Sequence, residues 1–283
     1  MIFQKRTAVA FLLLSLLAVG CSGEDTKTDI ETTNTGTESA VDTETVVTEN
    51  ALPDNLPDMD FGGATYTMYL RRDKNYTPDD FSGKQTCKRE LQKMLGLPEK
   101  DVPIIAMISR LVSHKGLELV KQAIENVLHE DLQFVLLGTG DAAYESYFKD
   151  LGKRYEGKVS ANIAFNGDLS RKIYSGADIF LMPSISEPCG LSQMIASRYA
   201  TVPVVRETGG LYDSIKPYGN GGNGFTFASC NPYDMLYVIH EAIDLYKNKS
   251  AWEELMKRAV TTDFSWLHSA DEYKKLYKKT LGE

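Results

Sequence analysis

Two cationic side chains stand close together in the chain. Arg110 and Lys115 lie in one short polar stretch that directly follows the apolar run 104–108. An arginine can fork two phosphate oxygens, and a lysine adds a compact positive charge. The pair therefore suits a diphosphate, on which negative charge grows as it departs from a reacting carbon. From the spacing alone, a solvated pair of surface cations is an equally good interpretation.

A second group of chemically useful residues lies within residues 179–211. The apolar run 179–182 predicts a buried strand, and the polar loop after it contains Glu187. This loop leads into an amphipathic segment that begins at Gly190 and predicts a helix. A helix amino terminus presents N–H groups that suit an anion such as a phosphate. Glu187 could bind hydroxyl groups of a ligand, or it could be a surface acid that caps the helix.

A further β-branched run at 202–205 ends in a second polar loop at 208–211, which contains Gly209 and Gly210. Glycines allow a backbone to come close to a ligand. In an open parallel sheet, the loops that follow the strands lie together at the carboxyl edge, where ligands bind. The order of strand, loop, helix, strand and loop therefore predicts one site built from several loops.

The same segments resemble bacterial glycogen synthase, the starch synthase type that uses ADP-glucose. The resemblance rests on SEPCGLSQMIASRY, on VPVVRETGGLYDSI and on the S-R-L-x-x-x-K-G pattern that begins at Ser109. It covers residues 74–283 and implies the carboxyl-terminal half of a GT-B glycosyltransferase. It also implies retaining transfer of glucose from ADP-glucose to an α-1,4-glucan, with no cofactor and no metal.

The resemblance implies a role for each candidate residue. Arg110 and Lys115 would bind the diphosphate, and Glu187 would bind the glucose and stabilise positive charge at its anomeric carbon. Tyr174 could stack on adenine, although a place in the core suits it nearly as well. Three sets of residues would complete the site: Gly190, Leu191 and Ser192 at the distal phosphate; Thr208, Gly209 and Gly210 beside the sugar and diphosphate; and Gly138, Thr139, Gly140, Asp141 and Tyr174 around the adenosine.

The elements that must position these residues alternate between strand and helix. The patterns predict strands at 104–108, 134–137, 159–165, 179–182, 202–205 and 224–227. They predict helices at 84–95, 116–129, 142–155, 169–175, 190–199, 232–246, 251–260 and 265–281. Such alternation predicts an α/β fold with a single doubly wound, Rossmann-like parallel sheet.

Composition argues against several other functions. The formal net charge of the 283-residue chain is −8, which argues against nucleic acid binding. Its cysteines, Cys21, Cys87, Cys189 and Cys230, have no metal-binding spacing, so no metal site is expected. Cys189 could be a nucleophile, but no histidine or asparagine partner is indicated. A small buried thiol is the better interpretation of Cys189.

The amino-terminal residues carry a different signal. Residues 1–21 combine a basic head, an apolar run of signal-peptide length and small residues before Cys21, which predicts a lipoprotein signal and lipidation of Cys21. An ordinary secretion signal and an uncleaved anchor are the alternatives. Residues 22–51 are acidic and threonine-rich, which predicts a disordered tether. Residues 52–73 resemble the start of solute-binding lipoproteins, with one predicted strand at 64–70.

The two resemblances disagree about location. A lipidated protein is membrane-anchored and extracytoplasmic, whereas the resembled glycosyltransferases are cytoplasmic. A gene fusion or an artificial joining of two reading frames would explain the conflict.

Because the first domain of the family is not matched, we expect the domain 74–283 to bind its donor and to be inactive alone. The alternative is a surface-tethered module that binds nucleotide sugar or glucan without catalysis. A third hypothesis, a transporter solute-binding lipoprotein, rests only on the leader and residues 52–72.

Overall fold

The computed structural model describes residues 60–61, 64–65 and 76–282. Two short strands, β1 at Asp60–Phe61 and β2 at Ala64–Thr65, pair in antiparallel register. The predicted signal peptide, the lipidation site Cys21 and the predicted tether lie outside the described residues. Most of residues 52–73 also lie outside them, so only the first two residues of the strand predicted at 64–70 are described.

A six-stranded parallel sheet forms the centre of the domain. Its strands are β3, Ile104–Ile108; β4, Gln133–Leu137; β5, Val159–Asn162; β6, Ile179–Met182; β7, Val202–Arg206; and β8, Phe225–Phe227. Their spatial order is β5-β4-β3-β6-β7-β8, so the direction in which strands are added reverses between β3 and β6. The predicted doubly wound α/β fold is confirmed, and such a reversal is where open parallel sheets bind ligands.

Helices connect the strands and cover the sheet. They are α1, Ser82–Met94; α2, Leu117–Val127; α3, Ala142–Arg154; α4, Gly167–Gly176; α5, Ser192–Arg198; α6, Gly209–Ser214; α7, Pro232–Lys247; α8, Lys249–Thr261; and α9, Trp266–Leu281. All of them except α6 were predicted to within a few residues. Among the residues that the structure describes, every helix is too short or too polar to span a bilayer.

The four central strands, β3, β4, β6 and β7, are mostly apolar because helices bury both faces of the sheet there. In β3, Ile105 and Met107 belong to the larger core, which α2, α3, α7 and α8 close. Ile104 and Ala106 belong to the smaller core, which α1, α4 and α5 close. Successive side chains of a strand point to opposite faces, so a strand covered on both sides needs a continuous apolar run.

Two buried lysines attach α1 to the sheet. Lys88 Nζ lies 2.7 Å from Asp178 Oδ2, and both side chains are 3% exposed. The same carboxylate oxygen accepts a hydrogen bond from Ile104 N at 2.8 Å, which joins the start of β3 to the residue before β6. Lys84 Nζ donates to the carbonyl oxygen of Tyr199 at 2.9 Å. Removal of one partner of such a buried pair would leave an uncompensated charge, which costs about 3–5 kcal/mol, so α1 is an integral part of this domain.

Candidate functional site

An ion pair lies at the carboxyl edge of the sheet, next to the reversal of strand order. Lys115 ends the 3-10 turn Ser113–Lys115 after β3, and Glu187 lies in the loop after β6. Lys115 Nζ is 2.5 Å from Glu187 Oε2, and Ser184 Oγ donates a hydrogen bond to the same oxygen at 3.1 Å. The lysine and glutamate side chains are only 17% and 10% exposed, so their attraction is less screened than on an open surface. Two of the three residues predicted to be catalytic are therefore in contact.

Arg110, the third of these residues, lies in the same loop as Lys115. Its side chain is exposed at the carboxyl edge, from which a guanidinium can bind an anion that arrives from solvent. Glu187 does not cap the following helix: α5 begins at Ser192 with Leu191 as its N-cap residue, and the Glu187 carboxylate bonds to Lys115 and Ser184 instead. The capping interpretation of Glu187 is therefore wrong.

The loops after β3 and β6 are joined through their backbones. His114 O accepts hydrogen bonds from Ile185 N at 2.8 Å and from Ser186 N at 3.5 Å. Gly116 makes this approach possible, since its φ is +76° and a Cβ there would lie 1.9 Å from Pro183 O. Any residue other than glycine at this position would push the two loops apart, and the Lys115–Glu187 contact with them.

The loop after β7 packs beneath the loop of Glu187. Gly210 N donates to Glu187 O at 3.1 Å, and a Cβ on Gly209 would lie 2.1 Å from the same carbonyl oxygen. The stretch 208–211 was predicted to be a polar loop, but α6 begins at Gly209, after Thr208 as its N-cap residue. The two glycines therefore bring this segment close to a neighbouring loop, a contact that the sequence pattern does not reveal.

The loop after β4 completes the edge. Leu111 N donates to Thr139 O at 2.8 Å, and Asp141 N donates to Leu111 O at 2.8 Å. A Cβ on Gly140 would lie 2.3 Å from Leu111 O, so this glycine also serves a close backbone approach. Thr139, Gly140 and Asp141 are exposed, whereas Gly138 is buried below them. The loop predicted to face adenosine thus lies directly beside the loop of Arg110 and Lys115.

The turn at Gly190 differs from its prediction. Gly190 does not open the helix: it adopts a left-handed conformation with φ of +72°, and α5 starts at Ser192, two residues later. Gln193 Nε2 donates to Gly190 O at 2.8 Å and holds the turn in place. Leu191 is the N-cap residue and offers no side-chain acceptor, so no cap competes with an anion for the first-turn amides.

Tyr174 lies in the smaller core. Its side chain is 6% exposed, stacks on Tyr199 with ring centroids 5.8 Å apart, and lies 5.3 Å from the ring of Phe180. Burial raises the pKa of its hydroxyl, an effect that a hydrogen bond with the Ser192 side chain opposes. The ring therefore takes the core position that the sequence left open, and it offers no face on which adenine could stack.

Cys189 is a half-buried thiol. Burial, followed by the nearby carboxylates of Glu187 and Asp213, raises the pKa of this thiol. A raised pKa keeps the sulfur protonated at neutral pH, and the thiolate is the form that reacts. Cys189 is therefore poorly suited to be a nucleophile. Among the described residues, no cluster of three or more histidine, cysteine, aspartate or glutamate side chains could hold a metal ion.

Sequence reasoning missed two residues at this edge. Arg206, the last residue of β7, donates Nε to Ser184 O at 2.8 Å and Nη2 to Ile185 O, and so holds the loop that carries Glu187. Phe165, after β5, is 98% exposed, because β5 ends at Asn162 instead of continuing to residue 165 as predicted. Two signals for them were available in the sequence: Arg206 ends an apolar strand, and Phe165 is an aromatic residue in a polar loop.

The chain belongs to the glycosyl transferases group 1 family, whose sequence profile matches residues 88–258, more than half of the 283 residues. The fold is that of the carboxyl-terminal domain of a GT-B glycosyltransferase, as the sequence predicted.

Relatives and a solved structure support a more specific similarity. The chain is 53% identical to a glycogen synthase of Kosmotoga olearia over 211 residues, which are 74% of this chain and 44% of that protein. It is 47% identical to a glycogen synthase of Geobacillus thermodenitrificans over 222 residues, which are 77% of this chain and 44% of that protein. The catalytic domain of starch synthase IV from Arabidopsis thaliana bound to ADP and acarbose shares 34% identity and a TM-score of 0.69, over 77% of this chain and 46% of that one. The chain thus spans less than half the length of these relatives.

Replacement of Arg206 by alanine tests its role in holding the loop of Glu187. We expect Arg206→Ala to speed hydrogen exchange of the Ile185 amide about tenfold, because the two carbonyls that Arg206 holds would lose their donor. Mass spectrometry of peptides that cover residues 183–191 measures the exchange rate. Arg258→Ala is the matched control, since Arg258 Nε donates to Gly222 O at 2.9 Å in a different loop. Equal exchange at residue 185 in both variants would refute the assignment.

Proposed function

We propose that this chain binds ADP-glucose as the donor-binding half of a glycogen or starch synthase-type enzyme, which transfers glucose to an α-1,4-glucan with retention of configuration. The observation that carries the proposal is the Lys115–Glu187 ion pair beside the reversal of strand order. Two glycogen synthases that are about half identical to this chain, and a similar starch synthase structure bound to ADP, support it. The proposed transfer needs no cofactor.

In the proposed complex, the diphosphate lies between the Arg110 guanidinium and the backbone amides of Gly190, Leu191 and Ser192. Arginine forks phosphate oxygens, and uncapped amides at a helix amino terminus bind anions. Lys115 adds a positive charge from the loop after β3. These groups stabilise the negative charge that grows on ADP as the bond to glucose breaks, and their fixed positions mean that little reorganisation is needed.

Glu187 has two roles in this proposal. Without a ligand, its carboxylate neutralises Lys115. With the donor bound, the diphosphate competes for Lys115, and the carboxylate accepts hydrogen bonds from glucose hydroxyls and favours positive charge at the anomeric carbon. Each of these largely buried charges then keeps a partner in both states, which avoids the cost of an unpaired charge. The backbone of residues 208–210 borders the sugar, and residues 138–141 border the adenosine.

Acceptor binding is the part of the reaction that this proposal assigns largely to other residues. Transfer requires an oriented acceptor hydroxyl and exclusion of water, since a bound donor would otherwise be hydrolysed. The chain matches 44% of the length of each glycogen synthase. We therefore infer that the 283-residue chain binds donor but elongates glucan poorly by itself.

We also propose that Cys21 is lipidated and tethers the protein to a membrane on its extracytoplasmic side. The basic head, the apolar run and the small residues before Cys21 support this, whereas the resembled enzymes are cytoplasmic. Such a location favours a second function, a surface module that binds nucleotide sugar or glucan without catalysis.

Metabolic labelling tests the lipidation of Cys21. Labelled palmitate should enter the wild-type protein and the Cys230→Ser control in a bacterial host, but not the Cys21→Ser variant. Incorporation into all three proteins would exclude Cys21 as the lipidation site.

Titration with ADP tests the donor site. We expect Arg110→Ala and Lys115→Ala each to weaken ADP binding about tenfold, because a charge-assisted hydrogen bond to phosphate contributes roughly 1.5–3 kcal/mol. Isothermal titration calorimetry of the 283-residue protein measures the affinity. Lys100→Ala removes the same charge before β3, at the opposite edge of the sheet, and should leave the affinity unchanged. An equal loss in all three variants would indicate a general charge effect and no site at this edge.

Glu187→Gln separates the sugar from the diphosphate. We expect this variant to bind ADP-glucose about tenfold more weakly, since a carboxylate that accepts hydroxyl hydrogen bonds is lost. Its affinity for ADP should stay the same or increase, because Lys115 no longer has a negative partner. Calorimetry with both ligands gives the ratio of the two affinities. A parallel loss of ADP and ADP-glucose binding would contradict contact between Glu187 and the sugar.

A further inference from the structure

A strip of exposed polar and aromatic residues runs along α7, away from the donor site. Tyr233 and Tyr237 are 74% and 65% exposed and lie one turn apart. Residues at i, i+4 and i+8 share one helix face, so Glu241 continues the line. Within the described part of the chain, neither tyrosine hydroxyl has a hydrogen-bond partner. An exposed aromatic ring offers a flat apolar face that a ligand can cover.

The strip leads into a cavity of about 540 Å³ between α7 and the outermost strand, β8. Phe225 and Val238 supply apolar surface. Thr226 Oγ1 donates to Glu207 and Asn248 Oδ1 accepts from Ala251 N, which leaves the Thr226 oxygen as an acceptor and the Asn248 amide group as a donor for a ligand. The remaining residues at the cavity are Pro217, Tyr218, Gly219, Glu241, Asp244 and Leu245. Its size lies in the range typical of small-molecule sites.

Tyr218 is part of the cavity wall and not a stacking platform. Its ring stacks on Phe225, with centroids 5.6 Å apart, and the guanidinium carbon of Arg258 lies 5.5 Å from its centre. Because the neighbours of this ring hold it in place, the cavity offers a rigid apolar wall with carboxylates at its rim. Flat faces for stacking are offered by the two tyrosines of α7.

We propose that this strip, Tyr233, Tyr237, Glu241 and the adjoining cavity, is an accessory binding surface for an α-1,4-glucan chain; the inference rests on the proposed function. A glucose unit has an apolar C–H face that packs on an aromatic ring and hydroxyl edges that donate to carboxylates and amides. It carries no charge, so it needs no cation.

The charge of the strip disfavours other classes of ligand. Glu241 repels phosphate, which disfavours nucleotides and nucleic acid. The nearby Asp244 contributes less, because Lys247 Nζ pairs with its carboxylate at 2.7 Å. The centre of a protein interface is usually depleted of charged residues, whereas Glu241 stands in the middle of this strip. A neutral sugar polymer matches both its aromatic and its acidic side chains.

The position of the strip relates it to the donor site. Helix α7 follows the carboxyl end of β8, so Tyr233 lies near the sheet edge that carries Arg110 and Glu187, and Asn248 lies near the opposite edge. The helix has 16 residues and is therefore about 24 Å long. A glucan held along it would be kept close to the donor site, which raises the effective concentration of its chain ends.

Native electrophoresis of the 283-residue protein in gels that contain glycogen tests the proposal. We expect glycogen to retard the wild-type protein, and the double variant Tyr233→Ala/Tyr237→Ala to need about tenfold more glycogen for the same retardation. Glu241→Gln should have a smaller effect in the same direction. Tyr277→Ala, which removes a tyrosine of α9 that is 62% exposed, is the matched control and should behave as wild type.

Two further measurements distinguish the possible failures. ADP titration of the double variant should give the wild-type affinity. If the wild-type protein binds ADP but glycogen does not retard it, the glucan-binding strip is refuted and the donor site is not. If glycogen retards the wild-type protein but ADP does not bind, only the donor site is refuted. Sedimentation of the wild-type and double-variant proteins reports self-association. If the wild-type protein self-associates and the double variant does not, the tyrosines form a protein interface, and the glucan proposal is wrong.

Discussion

The ion pair between Lys115 and Glu187 joins the loops that follow the two central strands, β3 and β6. Opposite charges that are largely shielded from water attract strongly, but each one is costly if its partner moves away. The contact therefore requires that both loops are held in place. Backbone hydrogen bonds from the second loop to His114 O hold them together, and Arg206 holds the consecutive carbonyls of Ser184 and Ile185.

Glycine is the means by which these loops come so close. A Cβ on Gly116, Gly140 or Gly209 would lie about 2 Å from a carbonyl oxygen of a neighbouring loop. The loops after β3, β4, β6 and β7 consequently form one continuous backbone-bonded rim at the carboxyl edge of the sheet. A rim of this kind is preorganised, so the charges and amides that we propose to face a diphosphate would not need to rearrange on binding.

The domain separates two kinds of recognition by charge. The rim combines Arg110 and Lys115 with uncapped amides at α5, a chemistry suited to an anion. The flank along α7 combines exposed tyrosines with Glu241, a chemistry suited to a neutral polyol and unfavourable to phosphate. The donor and the acceptor of the proposed glucosyl transfer differ in this same property.

Local patterns in the sequence determined the elements of this protein. The four central strands were recognisable because each is buried on both faces and needs a nearly unbroken apolar run. The loops of Arg110, Lys115 and Glu187 directly follow two of these strands. Contacts between distant residues decided the rest. Lys88 is buried against Asp178, which its place in the predicted helix 84–95 does not reveal. Tyr174 lies in the core, and residues 208–211, predicted as a loop, contain the start of α6, whose Gly210 donates to Glu187 O. The physical reason is that composition and periodicity record which face of an element is apolar, whereas the partner of a polar or glycine residue depends on which segments the sheet order brings together.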